Sequence, residues 1–187
     1  MNPDTHRLDR AFASTRSVLA QIRPDQLGDP TPCSSWDVRA VINHVIGSAH
    51  WATASIGLGV ESADVDFAAG DFLASYDDCA RAALAAFGTD GILDLTVRLA
   101  FGEFSGAEVL GMAEADQFTH GWDLARAIGL PTDLDPGLAE ELLATTQKTI
   151  TEAYRGPDGA APFGPERTAP ADAAPADRLA AFLGRTV

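Results

Sequence analysis

Long stretches whose apolar residues recur at helical spacing, each closed by proline or glycine, constrain this chain more than any other feature. Residues 5–23 carry Leu8, Phe12, Val18, Leu19 and Ile22 among arginines and aspartates, and Pro24 stops the run. After a proline-rich loop over 24–35, a second helix is predicted from about Trp36 to Ile56, capped by Ser34 or Ser35, with Asp37 in its first turn. Gly57 and Gly59 end it, and an acidic linker over 60–66 follows. A third helix fits 67–87, with Phe72, Leu73, Tyr76, Leu84 and Phe87 on one side. A fourth runs from about Ala107 to Ile128 and stops at Gly129-Leu130-Pro131. A fifth covers about 136–154, opened by Pro136.

Between the third and fourth, Leu93, Leu95, Val97 and Leu99 alternate with polar residues, a period-2 signal for a short strand or extended connection. Residues 155–176 are rich in proline, glycine and alanine and read as irregular, and 177–183 as a last short helix. The expected fold is all-α: an up-down four-helix bundle with short extra elements and a short C-terminal helix, in one domain over 1–187.

Charge narrows the partners. Thirteen basic against 27 acidic side chains give a net charge of −14, a field that repels phosphate backbones and anionic membranes. Neither nucleic acid nor membrane is therefore an expected partner. The first residues are not followed by an apolar leader segment, and no apolar run approaches the ~20 residues that span a bilayer. A cytoplasmic protein is expected. Cys33 and Cys79 are too few for a disulfide framework.

The chemistry-bearing residues are few. Asp116 and His120 are four apart and share one helix face, a half-site for a divalent metal. His44, mid-helix beside Val41 and Val45, would complete a triad with an open fourth position. The bland alternative stays open. Such a pair also occurs as a plain surface pair, a core histidine as a structural residue, and spacing alone does not bring 44 to 116. Asp123 is placed to orient His120 or to pair with Arg126. His50 lies about 240° around the helix from His44 and faces elsewhere, and His6 is expected in solvent. Trp36, Trp51 and Trp122 read as core or cleft aromatics, and Cys33 as an unreactive thiol.

Three segments together resemble a family: Thr31-Pro32-Cys33-Ser34-Ser35-Trp36-Asp37-Val38-Arg39 through His44; Asp116-Gln117-Phe118-Thr119-His120-Gly121-Trp122-Asp123-Leu124-Ala125; and Phe163-Gly164-Pro165 with the tail Asp177 to Arg185. They are similar to the metal-binding domain of mycothiol-dependent maleylpyruvate isomerases, within the DinB-like superfamily of four-helix metal bundles. The resemblance implies metal ligation by His44, Asp116 and His120. It departs at Asp116, where the isomerase has glutamate, and in length, since the isomerase carries a further C-terminal domain.

What the resemblance implies is a divalent-metal enzyme, zinc first, using a small thiol, mycothiol, for S-transfer or thiol-assisted isomerisation of an electrophilic small molecule. That makes it a transferase or isomerase. Arg39, Arg98 and Arg126 are candidates to hold a carboxylate of thiol or substrate. The alternatives are a metal hydrolase activating water, with Glu114 or Asp123 as base, and a non-catalytic metal- or ligand-binding bundle.

Overall fold

The structure is a computed structural model that describes residues 5–60, 64–157 and 160–187. It is mostly helical. Helix α1 spans His6–Leu19, α2 Val38–Ser55, α3 Phe72–Phe87, α4 Gly106–Ala127, α5 Pro136–Thr149 and α6 Pro175–Phe182. Strands β1 (Thr96–Leu99) and β2 (Gly102–Ser105) form one antiparallel hairpin between α3 and α4. The acidic linker falls partly on 61–63, outside the described residues.

Local chemistry explains most boundaries, and corrects several expected ones. The cap of α2 is Asp37 rather than Ser34 or Ser35: its carboxylate accepts the backbone N–H of Ala40 at 2.8 Å. The third helix opens at Phe72 rather than 67, because Gly70 breaks the chain and Asp71 caps from Ala74 N–H at 3.0 Å, leaving Phe67–Ala69 as a separate 3-10 turn. Of the period-2 segment, Ile92–Asp94 is a 3-10 turn and Thr96–Leu99 after it is a strand. Its hairpin runs straight into α4 through a capping box, in which Ser105 and Glu108 satisfy each other's backbone N–H groups. Helix α5 stops at Thr149 instead of 154, where β-branched residues crowd the last turn. Helix α6 starts two residues early because Pro175 suits a first helical position.

Two apolar cores result. Helix α1 packs on α3 and α4, and α2 packs on α3 and α4. Between them Leu8, Phe12, Val41, Ile42, Val45, Ile46, Tyr76 and Phe87 are buried. Helices α1 and α4 touch closely at Gly121, where an added Cβ would collide with the Thr15 side chain and lie 3.2 Å from its Cα. The second core lies where α5 and α6 pack on each other and on α4, around Phe118, Trp122, Leu138, Leu142 and Leu179. Each large apolar side chain so buried contributes roughly 1.5–3 kcal/mol. Trp122 also donates its indole N–H to Asp177 at 2.8 Å, tying α4 to α6. No helix among the described residues is long and apolar enough to cross a membrane.

Candidate metal centre

Helices α2 and α4 pack side by side, and each presents a histidine at the seam. The rings of His44 and His120 have centroids 4.6 Å apart. Asp116, one turn before His120, puts Oδ1 2.9 Å from His44 Nε2 and 3.6 Å from His120 Nε2. One ligand atom from each of the three residues lies within 4.8 Å of the others, so the trio could hold a metal ion. Two imidazoles and one carboxylate are donors that divalent metal ions accept.

The surroundings fix these groups. Asp123 is fully buried and accepts Nδ1–H of His120 at 2.9 Å. A neutral His120 ring must then carry its lone pair on Nε2, the nitrogen that faces Asp116. Asp123 in turn accepts two N–H bonds from Arg185, at 3.0 and 3.3 Å. Burial opposes ionisation of Asp123, but the Arg185 charge and the His120 bond outweigh it and hold its pKa low. Burial likewise opposes the charge on Asp116, and His44 and His120 overcome it, so the carboxylate is ionised. His44 loses by burial and gains more from Asp116, which raises its pKa. Trp36 covers the pair from the α2 side, its ring centroid 4.4 Å from that of His44 and 5.4 Å from that of His120.

The other expected residues are elsewhere. His50 stacks on Phe67 at 6.0 Å, and His6 is exposed. Arg126 is exposed, and the partner of Asp123 is Arg185 in its place. Arg98 pairs with Glu103 across the hairpin. Arg39 pairs with Asp66 and lines a cavity of about 490 Å³ with Ile22, Leu27 and Phe72. Glu114, two residues and about 200° from Asp116, faces α1, where Arg7 pairs with it at 2.7 Å. Cys33 is half-buried in the loop before α2, and no disulfide joins it to Cys79.

Three contributors escaped the sequence reading: Ser48, Gln117 and Arg185. Ser48 left a signal, because it sits four residues after His44 on the same face and its hydroxyl reaches Asp116 at 2.6 Å. Arg185 left none beyond its place in the tail.

The family model for the mycothiol maleylpyruvate isomerase N-terminal domain matches residues 8–100. The chain belongs to this family. The matched span includes Trp36 and His44 and stops before Asp116, so the α4 side of the centre rests on geometry. Two curated relatives, each named an uncharacterized protein, come from Mycobacterium tuberculosis strains CDC 1551 / Oshkosh and ATCC 25618 / H37Rv. Each is 40% identical over 185 residues, covering 97% of this chain and 95% of the relative. No solved structure matches the chain.

Proposed function

We propose that this protein is a divalent-metal enzyme that joins a low-molecular-weight thiol, mycothiol, to an electrophilic carbon of a small molecule, in S-transfer or thiol-assisted isomerisation. The observation that carries the reading is the convergence of His44, Asp116 and His120 in a chain of the mycothiol maleylpyruvate isomerase family. The reading includes a DinB-like four-helix bundle formed by α1 to α4, a single domain over 1–187, and zinc as the resident ion. His44, Asp116 and His120 would hold the zinc ion, which would favour the ionised form of a thiol bound to it.

The chain's own groups supply the rest. Arg185 holds Asp123, Asp123 holds His120, and the indole of Trp36 shields the two imidazoles from water on one side. Of the three candidate arginines, Arg39 lines the cavity, where Asp66 already holds it, and Arg98 and Arg126 stand in solvent. The thiol reading is favoured over water activation because neither candidate base stands beside the triad free to take a proton from a water there. Both oxygens of Asp123 are engaged, and Glu114 faces Arg7.

Calorimetric titration of zinc-loaded protein with mycothiol tests this. Binding should release a proton, seen by comparing buffers of different ionisation enthalpy, and should vanish when the metal is stripped. Binding that survives removal of the metal, or no binding at all, rejects the thiol reading. Zinc-dependent hydrolysis without added thiol would replace it with the hydrolase.

A further inference from the structure

The carboxylate of Asp116 has two oxygens, and the structure commits them differently. Oδ1 faces His44 and His120. Oδ2 lies 2.6 Å from the hydroxyl of Ser48. What stands behind Ser48 decides how firmly that oxygen is held. Gln117 lies 2.7 Å from the carbonyl of Val45, which can only accept, so the atom pointing there is Nε2. The same Nε2 donates to Ser48 Oγ at 3.0 Å, using both amide protons. Gln117 Oε1 accepts the hydroxyl of Tyr76 at 2.8 Å. Both Tyr76 and Gln117 are at least 99% buried, with relative exposures of 0% and 1%.

The chain of hydrogen bonds therefore runs one way, from Tyr76 through Gln117 and Ser48 to Asp116. Ser48 has a single proton and receives one from Gln117. Its proton goes to Asp116 Oδ2 rather than to the carbonyl of Val45, which is 3.3 Å away. This bond turns Oδ1 toward the histidines, and a metal that took Oδ2 as well would have to compete with the Ser48 hydroxyl for it.

We propose that Ser48 is a positioning residue that makes Asp116 a one-oxygen ligand and so biases the centre toward a small four-coordinate ion over larger, oxygen-seeking divalent ions. The inference rests on the metal reading of the site. Zinc accepts few, compact ligands, whereas manganese and calcium favour oxygen donors, and calcium takes carboxylates through one oxygen or both.

The test compares wild type, Ser48→Ala and Ser48→Thr in metal competition against a chelating indicator, with the visible absorption of the cobalt-loaded protein as a second readout. Alanine is a good helix former, so the fold should persist, which circular dichroism checks. Ser48→Ala should bind zinc about 10- to 100-fold more weakly, the usual cost of losing a group behind a ligand. Its preference for zinc over manganese should shrink, and its cobalt bands should weaken as coordination number rises. Ser48→Thr, which keeps the hydroxyl, should restore all three. If Ser48→Ala does not fold, Ser48→Val, which matches Ser48→Thr in shape but lacks the hydroxyl and adds no metal-binding atom, takes its place and should move in the same direction. An unchanged zinc-to-manganese ratio and cobalt spectrum in the folded variant overturns the role of Ser48 alone. A wild type that takes up neither zinc nor cobalt overturns the metal reading and this inference with it.

Discussion

The core shared by α1 to α4 and the core that α5 and α6 build against α4 both reach His120, by different routes. The first delivers, from regular helices, the three groups that could hold a metal ion: His44 from α2, Asp116 and His120 from α4. The second delivers support. Phe118 and Trp122 leave α4 on the side opposite Asp116 and His120 and anchor α6. Gly184, at φ +97° just after α6, then turns the chain so that Arg185 reaches Asp123. Helices fix distances among ligands one turn apart; an irregular tail can bring a long cation to a buried anion that no helix in the first core could neutralise.

Breaking the first region should have the largest effect. His120→Ala removes a donor atom, so zinc content after dialysis should fall further than the roughly 10- to 100-fold affinity loss typical of an outer partner. His50→Ala, stacked on Phe67, should keep its zinc. Equal metal in wild type and His120→Ala, by elemental analysis, would remove the triad. Asp116→Glu, which installs the isomerase's acid, should retain metal.

Breaking the second region should cost stability and metal together. Arg185→Ala leaves the Asp123 carboxylate buried without its cation, a loss of about 3–5 kcal/mol for a broken buried pair. Urea unfolding of the metal-free protein measures it. A midpoint within experimental error of wild type would show that the tail supports nothing.

The smallest effect sharpens the boundary between the two regions. Arg10 of α1 holds Asp135, the cap of α5, through two N–H bonds at 2.6 and 2.9 Å. The Arg10 hydrogen bond, more than its charge, keeps the Asp135 pKa below its ordinary value despite partial burial. A carboxyl lowered in the folded state stabilises above its unfolded pKa of about 3.9, and that contribution disappears as pH falls through the lowered folded value. Wild type should therefore exceed Asp135→Asn in stability by about 0.2–1 kcal/mol at pH 6 to 7, with the difference fading below roughly pH 4. A difference that grows in acid would contradict the assignment.

The two regions also differ in how much their sequence discloses. Helical spacing places every long helix of the first core, with ends displaced by up to five residues at the start of α3 and four at the end of α1, because burial of one face imposes a 3.6-residue period. Asp116 and His120 are legible for the same reason. His44 is joined to them only by the family resemblance, since no local rule brings α2 to α4. Ser48 shares the face of His44 one turn on, but its partner Asp116 lies 68 residues away, and Arg185 stays hidden because Asp123 lies 62 residues away and a guanidinium in an irregular tail carries no periodic signal. The cap at Asp37 is missed because serine and aspartate compete on equal terms at that position.

Gly121 stands between His120 and Trp122, pressed against Thr15 where α1 crosses α4. Thr15 is itself buried and donates to the carbonyl of Gln117 at 2.7 Å. In terms of descent, the two positions form a one-way gate: a methyl group cannot arrive at 121 until the side chain at 15 has first become smaller, and that first step gives up the bond to Gln117. The spacing between α1 and the histidine-bearing turn is thus tied to these two residues, and a side chain larger than hydrogen at 121 would have to push the helices apart.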